Sequence, residues 1–521
     1  MTHRPGSGAA EGLDPVTLSV FSSALEGIAE EMGVVLVRSA YSSNIKERRD
    51  CSTALFDARG RMVAQAAHVP VHLGAMPEAV AAVRARDPRP GDVFVLNDPF
   101  AGGTHLPDVT LVSVVTLAGR LAGFGVTRAH HSDVGGKRPG SMPSDSRSIF
   151  EEGVVIPPVR LVRDGTVVRD VLELVLANVR TPDVRRGDLR AQLAANQVAQ
   201  RRLEELVERP GTPALEAGFE SVLAYSERRT RERLRALPDG VATAAGALEG
   251  DGIDDADVPI RVRVELRGDA LSVDFTGSAP GVAGNVNCPL SVTRSACCFA
   301  LRVLVGGDAP ANAGTFAPLE VTAPGGCVVN ARRPSAVVAG NVETSQVIAD
   351  TVLAALSQLV DDLPAQGQGT MNNLVVGGAD WTYYETIGGG QGAGPRGPGA
   401  SGVHVGMTNT LNTPVEALEL EYPLRVERYE LVPGSGGAGR HRGGDGIERV
   451  IRVLEPCSVS LLTDARRHAP SGARGGADGA VGVNSLDGTP LPAKVSRDLR
   501  AGQVIGVITP GGGGWGPSPP P

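Results

Sequence analysis

The first part of the chain is patterned as an amphipathic helix. Its apolar residues recur at steps of three and four positions: Leu18, Phe21, Leu25, Ile28, Met32 and Val35. Asp14 is placed to cap this helix and Pro15 to open it, because the first helical position needs no backbone N–H donor. The continuous apolar stripe predicts a helix that is buried in the core or at an interface.

Alternation of apolar and polar residues follows and predicts β-structure. Residues 52–64 alternate around the turn residues Asp57 to Gly60, which predicts a hairpin. Asp50 directly precedes this hairpin and so opens a strand, a position from which its carboxylate can face a site. Further strands are predicted at Val93 to Leu96, Val109 to Thr116 and Leu121 to Val126. This compact β region ends in two adjacent histidines, His130 and His131.

The middle of the chain is patterned as helices. Gly187 and Asp188 are placed to cap one helix, and a second helix is predicted from about Ala214 to Leu237. Residues 227–235 carry dense mixed charge, which is typical of a solvated helix face or a subunit contact. Small and acidic residues between Ala242 and Asp257 mark a boundary.

The second half of the chain begins with alternation and then becomes rich in glycine. Residues 260–266 and 271–275 alternate on either side of Gly268-Asp269, which predicts a hairpin. Buried helices are predicted at about Val292 to Leu304 and Glu343 to Leu359, and residues 367–516 are β-inclined.

These elements predict a large mixed α+β protein. An α/β N-terminal half carries the candidate metal residues, and the C-terminal half is β-rich. The predicted divisions are a disordered tail at 1–13, an N-terminal metal-site domain with a helical arm at 14–245, a β-rich domain at 246–516 and a tail at 517–521.

Composition narrows the class of partner. The chain has 521 residues and a formal charge of −8, and no basic patch or aromatic platform offsets that acidity, so the sequence argues against nucleic acid as a ligand. The N-terminal residues lack the apolar segment of a signal peptide, and no apolar run reaches the length of a membrane span. We therefore expect a cytoplasmic protein. Its six cysteines form no C-x-x-C pair and are interpreted as free buried residues, with Cys51 singled out because it adjoins Asp50.

Candidate chemistry is concentrated between Asp98 and Asp133. His105 and Asp108 lie three residues apart behind two glycines, and His130 follows the next strand. Nitrogen and oxygen donors without a thiolate suit Zn, Mn or Fe at a site that keeps a position open. The alternative interpretation is that these histidines are ordinary buried polar groups. His68 and His72, in a loop with Pro70 and Gly74, either line a pocket or turn a corner.

Several motifs are weaker than they look. Residues 434–439 match G-x-G-x-x-G, but a strand-like segment follows where a dinucleotide site requires a helix. The sequence has no G-x-x-x-x-G-K-[ST] phosphate loop and no G-x-S-x-G nucleophile elbow. The glycine clusters at 388–392 and 511–514 allow close backbone approach to a ligand or another chain, or form tight turns. The polar segments 341–346 and 369–373 have two interpretations: they line a pocket that hydrogen-bonds a polar substrate, or their side chains form hydrogen bonds with the backbone.

Taken together, a set of longer phrases resembles the hydantoinase B/oxoprolinase family from about Asp14 to Gly516. These phrases occupy residues 49–57, 97–108, 130–136, 139–143, 339–345, 369–373, 384–390, 407–410 and 433–439. The resemblance implies a B subunit that completes the ring opening of a hydantoin, 5-oxoproline or related lactam at a metal site. It also implies a hydantoinase A-type partner that binds ATP and Mg and phosphorylates the carbonyl oxygen, which agrees with the missing phosphate loop.

The resemblance also implies functions for individual residues. The ligands of one divalent metal (Zn, Mn or Fe) would be Asp50, His105, Asp108 and His130. His131 and Asp133 are assigned proton transfer from adjacency, and His72, Asn341 and Glu343 are candidates for substrate binding. Two alternatives stay open: a subunit of an acetone or acetophenone carboxylase, and a scaffold subunit whose metal is structural.

Overall fold

The computed structural model describes residues 13–66, 69–207, 212–306 and 310–518. The helices are α1 Pro15–Ser39, α2 Ser43–Lys46, α3 Met76–Arg84, α4 Arg169–Leu176, α5 Pro182–Val207, α6 Thr212–Arg235, α7 Leu290–Val305, α8 Ala313–Phe316, α9 Ser345–Leu356 and α10 Val415–Glu421. The strands of the first half are β1 Cys51–Asp57, β2 Met62–Ala66, β3 Val93–Leu96, β4 Asp108–Leu117, β5 Arg120–His130, β6 Val159–Arg163, β7 Thr166–Val167, β8 Gly240–Glu249, β9 Asp257–Arg267 and β10 Ala270–Asp274. Those of the second half are β11 Leu319–Thr322, β12 Asn373–Gly377, β13 Thr382–Thr386, β14 Leu424–Leu431, β15 Ile447–Val453, β16 Cys457–Leu462, β17 Val483–Leu486, β18 Thr489–Leu491, β19 Lys494–Leu499 and β20 Val504–Ile508.

A seven-stranded sheet in the order β2-β1-β5-β4-β3-β6-β7 carries the candidate residues. Its neighbouring strands pair antiparallel, so side chains alternate between its two faces. Helices α1 and α5 cover one face through an apolar cluster that includes Met32, Leu55 and Ala199. Helix α3 packs against the other face through Val80, beside Phe124.

The helix predicted first in the sequence is confirmed. The side chain of Asp14 accepts hydrogen bonds from the N–H groups of Val16 and Thr17, and Pro15 is the first helical residue. The hairpins β1–β2 and β9–β10 are likewise present at the predicted turns.

A second sheet, in the order β11-β10-β9-β8, packs against helices α7 and α9 and forms the largest apolar core. Strand β8 was not predicted from the sequence, because its small residues gave no apolar alternation. It runs from Gly240 to Glu249 and so crosses the predicted boundary between residues 245 and 246. The two-domain division stays a prediction.

The C-terminal part contains two further sheets that face each other across an apolar layer. One has the order β13-β12-β16-β19 and the other β14-β15-β20-β17-β18. Val376 and Val459 of the first sheet meet Ile451 and Val507 of the second. The predicted mixed α+β class is confirmed.

The glycine clusters form a bundle of extended segments, which we call the glycine bundle. Segment 511–516 lies among segments 388–393, 436–444 and 471–480, and they are joined by backbone hydrogen bonds such as Gly512 N–H to Gly444 O at 2.9 Å and Gly437 N–H to Gly512 O at 2.8 Å. A Cβ on Gly512 would lie nearer to the backbone of Gln391 than the 3.0 Å below which Cβ atoms essentially never fall. These glycines therefore serve backbone-to-backbone packing between segments of the same chain, a use that the sequence did not predict.

One helix boundary was predicted wrongly. Helix α5 begins at Pro182, and Asp188 lies within it instead of capping it. The carboxylate of Asp188 is buried, where it accepts hydrogen bonds from the N–H groups of Tyr41 and Ser42 and pairs with Arg185 at 3.0 Å. Asp188 therefore satisfies backbone N–H groups of the segment before α2, and the sequence had suggested that it satisfies those of its own helix.

In the described part of the chain, no helix combines the length and the apolar character needed to cross a membrane. The cytoplasmic location stays a prediction, and the predicted tail at 1–13 lies outside the described residues except for Leu13.

Candidate metal centre

The register of the first sheet brings three of the candidate ligands to one level. Asp108 at the start of β4 lies directly opposite His130 at the end of β5. On the other side of β5, the N–H of His130 donates to the carbonyl oxygen of Asp50, which precedes β1. Asp50, His130 and Asp108 therefore lie side by side across three adjacent strands, on the face that α3 covers.

His105 completes the group from the loop before β4. Its Nε2 lies 3.3 Å from Oδ1 of Asp108, and Nδ1 of His130 lies 3.6 Å from the same oxygen. Donor atoms of His105, Asp108 and His130 all lie within 4.8 Å of one another, and all three side chains are buried. Asp50 is more distant, with Oδ2 at 3.9 Å from Nδ1 of His130. The structure thus gathers three of the four predicted ligands and places the fourth at their edge.

The hydrogen bonds within the cluster do not satisfy all of its donor atoms, which favours a bound metal ion. Nε2 of His105 and Nε2 of His130 are buried and have no hydrogen-bond partner among the described residues. Buried polar atoms are rarely left without a partner, so Nε2 of His105, which lies beside the carboxylate of Asp108, indicates a bound ligand. Two imidazole nitrogens with one or two carboxylates match the donor set of a site for zinc or a similar divalent metal.

Other hydrogen bonds orient the ligands. The second oxygen of Asp108, Oδ2, accepts from Thr104 Oγ1 at 2.5 Å and from Asn341 Nδ2 at 3.2 Å, which leaves Oδ1 facing the histidines. Nδ1 of His105 lies 3.4 Å from the carbonyl oxygen of Val338. Such a partner directs the other ring nitrogen toward the ligand position.

His130 is held by an aromatic stack. Its ring lies parallel to that of Tyr384, with 4.3 Å between the centroids and 10° between the planes. The Tyr384 hydroxyl donates to Asn373, and the buried guanidinium of Arg48 donates to the Tyr384 carbonyl oxygen at 2.8 Å. Tyr384 therefore fixes the ring plane of His130 from the opposite half of the chain.

The electrostatics of the cluster keep Asp108 ionised and favour the neutral form of His130. Burial would raise the pKa of Asp108, but His105 and His72 outweigh it and hold that pKa well below its ordinary value. Burial lowers the pKa of His130, although Asp108 and Asp50 oppose that shift. A neutral imidazole is the form that binds metals.

His72 and Asn341 border the cluster, and their substrate-binding function stays a prediction. Nε2 of His72 lies 3.4 Å from Oδ2 of Asp108, and its Nδ1 is hydrogen-bonded to the Ser52 hydroxyl at 2.9 Å. Both line a cavity of about 20 Å³ with Asp50, Asp108, His130 and Tyr384, which is room for about one water molecule. His68, weighed with His72, lies outside the described residues.

Glu343 lies two residues further along the segment that carries Asn341. Residues Gly340–Thr344 form a π-helical turn, a distortion that is frequent at functional sites. Oε1 of Glu343 accepts from Asn373 Nδ2 at 2.7 Å, while Oε2 is buried without a partner among the residues that the structure describes. Burial, with the charge of Asp464, raises the pKa of Glu343 to about 8.

His131 and Asp133 point away from the cavity. Neighbouring residues of a strand face opposite sides of the sheet. His131 therefore lies on the α5 face, opposite to His130, and its Nε2 is hydrogen-bonded to Gln192 at 2.9 Å. Asp133 accepts from the N–H groups of Gly135, Gly140 and Arg180 and from the Arg180 guanidinium. The structure gives both residues hydrogen bonds that support the loop, and their proton-transfer function stays a prediction.

Cys51 follows the same alternation. It points to the α1 and α5 face, opposite to Asp50, and lies in an apolar cluster with Leu36 and Ala129. Burial raises the pKa of its thiol, so Cys51 is an apolar core residue. All six cysteines are free and buried, as predicted.

The sequence did not reveal the residues that support the ligands. Thr104 and Tyr384 lie within the segments that carry the family resemblance and Val338 lies outside them, but no periodicity links any of the three to the cluster. Tyr384 sits on β13, and the sole signal was that its strand runs into a glycine cluster.

Comparison with known proteins extends over the whole chain. The sequence model described as hydantoinase B/oxoprolinase matches residues 14–518. 5-Oxoprolinase 1 of Arabidopsis thaliana is 40% identical over 533 residues, covering 96% of this chain and 42% of the plant protein. A protein of Pseudomonas sp. (strain NS671), named provisionally as the B subunit of a D-/L-hydantoinase, is 34% identical and is covered over 90% of its length, with 97% of this chain. The chain thus spans about two fifths of the oxoprolinase and nearly all of the hydantoinase component.

Two solved structures are similar. The ATP-dependent caprolactamase of Pseudomonas jessenii superimposes with a TM-score of 0.90 at 29% identity, over 98% of this chain and 93% of that one. A nucleotide-free acetone carboxylase gives a TM-score of 0.85 at 18% identity, over 96% of this chain and 76% of that one. At that identity the second likeness concerns the fold alone.

Proposed function

The chain belongs to the hydantoinase B/oxoprolinase family, and on that premise we propose that it is the metal-dependent B subunit of an ATP-driven cyclic amide hydrolase. Its substrates are a hydantoin, 5-oxoproline or a related lactam. The observation that carries the proposal is that Nε2 of His105 and Nδ1 of His130 both face Oδ1 of Asp108 in a buried cluster of the described chain, where Nε2 of His105 has no hydrogen-bond partner. Similar proteins include oxoprolinases and a lactamase.

An amide in a small ring is a poor electrophile near neutral pH, so hydrolysis needs activation from two sides. We assign phosphorylation of the carbonyl oxygen, with its ATP and Mg, to a hydantoinase A-type nucleotide-binding partner, which agrees with the absence of a phosphate loop from this sequence. A divalent ion bound by His105, Asp108 and His130, with Asp50 at the edge, supplies Lewis acidity and lowers the pKa of water.

The surrounding residues of this chain orient and bind. Thr104 and Asn341 fix one oxygen of Asp108 and so aim the other at the histidines. The stack with Tyr384 holds His130, and the cavity that His72 lines admits about one water-sized group. A cavity of that size has room for the water molecule that hydrolysis requires.

Glu343 is a further group that we propose for proton handling, beside His131 and Asp133. Its raised pKa of about 8 keeps the carboxyl mostly protonated at pH 7, and its free oxygen is buried. Glu343, His131 and Asp133 all lie outside the lining of the small cavity in the described structure, so the lining does not choose among them.

The test is to purify this chain with an A-type partner and to compare the native protein with His105→Ala and the control His441→Ala. His441 lies against Trp515, away from the cluster. We expect about one tightly held metal per chain and ATP-dependent ring opening in the native complex and in the control, and neither in His105→Ala with the complex intact.

Two results would contradict the proposal. Turnover that persists in metal-free His105→Ala would favour a scaffold subunit with a structural metal. Bicarbonate-dependent consumption of a ketone without ring opening would favour a carboxylase subunit.

A further inference from the structure

A second and much larger cavity lies on the far side of helix α9. It measures about 810 Å³ and is bounded by α9, strand β8, the loop 464–473 and the edge of the glycine bundle. Cavities of this size hold small molecules in other proteins. No step of the chemistry proposed for the metal cluster takes place in this cavity.

Asp350 is the feature of this cavity that points to a ligand. Its carboxylate lines the wall and accepts hydrogen bonds from the amide of Gln346 at 3.3 Å and from the amide of Gln366 at 3.1 Å. No cationic side chain of the described chain contributes to its electrostatics, and burial raises the pKa of Asp350 to about 7 although the two amides lower it.

The other acids of the wall have their own partners. Asp464 pairs with Lys494 at 3.0 Å, and Asp257 pairs with Arg467 and His468. Glu249 accepts three backbone N–H groups from residues 466–468. Among the acids that line the cavity in the described structure, Asp350 alone has neither a cation nor a backbone donor, so a cationic ligand would complement it.

The large cavity shares its wall with the small metal-site cavity. Along three segments, one residue lines the small cavity and a near neighbour lines the large one: Val342 and Gln346, Met371 and Gly369, Thr408 and Gly406. Gln346 also accepts a hydrogen bond from the N–H of Met407 at 2.9 Å, so the same amide that holds Asp350 holds this wall.

The reaction itself generates a cation. Hydrolysis of a lactam adds water across the C–N bond: the carbonyl carbon gains the oxygen and becomes a carboxylate, and the nitrogen takes up the protons and becomes an ammonium group. The cyclic substrate has only a neutral N–H, and a ring-opened hydantoin keeps a neutral ureido group. An ammonium group is thus specific to the product of lactam opening.

We propose that the large cavity binds the amino acid produced by lactam opening and that Asp350 binds its ammonium group. This inference rests on the proposed function and deepens it: the substrate class is a lactam whose product is an amino acid, and the product leaves the metal site through this compartment. Asp350 is a product-binding residue and does not touch the reacting atoms.

The experiment is calorimetric titration of the full chain with 6-aminohexanoate and glutamate and with their cyclic forms, ε-caprolactam and 5-oxoproline. We expect at least one of the two amino acids to bind the native protein, and Asp350→Asn to weaken that binding at least tenfold. The control Asp380→Asn changes an exposed carboxylate of the β12–β13 turn and should leave affinity unchanged. Ala354→Trp fills the exposed rim of the cavity without altering charge and should also abolish binding.

Each outcome separates this inference from the proposed function. Amino acids that bind equally to native protein and Asp350→Asn, or not at all at millimolar concentration, overturn the inference even if metal-dependent lactam opening is found. Binding that depends on Asp350, in a complex that opens no cyclic amide, overturns the proposed function and with it the product assignment. If Asp350→Asn does not fold, retained binding in Ala354→Trp overturns the inference.

Discussion

Replacement of Gly512 by alanine tests the glycine bundle most directly. The added Cβ would overlap the backbone of Gln391, which cannot move aside as a flexible side chain can. Overpacking of this kind costs about 1–3 kcal/mol. Two backbone hydrogen bonds pass through Gly512, to Gly444 and from Gly437, and losing each costs about 1 kcal/mol. We therefore expect a loss of about 3–5 kcal/mol in the free energy of unfolding.

The chain offers both a probe and a matched control. It has only two tryptophans, and Trp515 lies in the glycine bundle with its Nε1 donating to the carbonyl oxygen of Leu363 at 3.1 Å. In a Trp381→Phe background, tryptophan fluorescence during urea unfolding reports on this region. Gly394→Ala is the control, because a Cβ there meets no atom of the described chain within 4 Å, and we expect a change within about 0.5 kcal/mol. Equal midpoints for Gly512→Ala and Gly394→Ala would refute the close-packing argument.

Three further predictions concern the metal site and its supports. Tyr384→Leu removes the stack on His130, and we expect metal affinity to fall about 10-fold or more by competition with a chelator; an unchanged affinity would show that the stack is incidental. The pKa of Glu343 is raised from 4.5 to about 8 in the folded state, so its contribution to stability is full below about pH 4.5 and is lost as pH rises through 8. We expect Glu343→Gln to flatten the pH dependence of the unfolding midpoint between these two pH values. An unaltered slope would contradict the raised pKa of Glu343. Asp133→Asn leaves Arg180 without its carboxylate and should cost about 3 kcal/mol of stability while metal content stays at the native level; lost metal with native stability would return Asp133 to the site.

Much of the N-terminal fold follows from local pattern. The cap at Asp14 and the hairpin turns depend on neighbouring residues, so the sequence predicted them at their observed positions. The clustering of His105, Asp108 and His130 was also accessible, because a short loop and one antiparallel pairing are sufficient to bring them together.

What sequence reasoning missed depends on long-range contacts. Adjacency to His130 did not predict that His131 lies on the opposite face of the sheet, and its proton-transfer function stays a prediction. Tyr384 and Val338 reach the site from more than two hundred residues away, and nothing local predicts that approach. Strand β8 and the glycine bundle consist mostly of small residues, so they carry no periodic signal. Their order comes from backbone hydrogen bonds to segments that are distant in sequence.

The division of the site between the two halves of the chain sets an order of events during biosynthesis. The ribosome completes His105, Asp108 and His130 well before Asn341 and Tyr384, the residues that orient and cover them. At translation rates of about 5–20 residues per second, the roughly 200 intervening residues take about 10–40 s to emerge. During that interval the three donors can already lie together on paired strands and are still open to the surrounding ion pool. Under the proposed function, we therefore expect the identity of the bound metal to depend in part on which ions are available while the chain is growing.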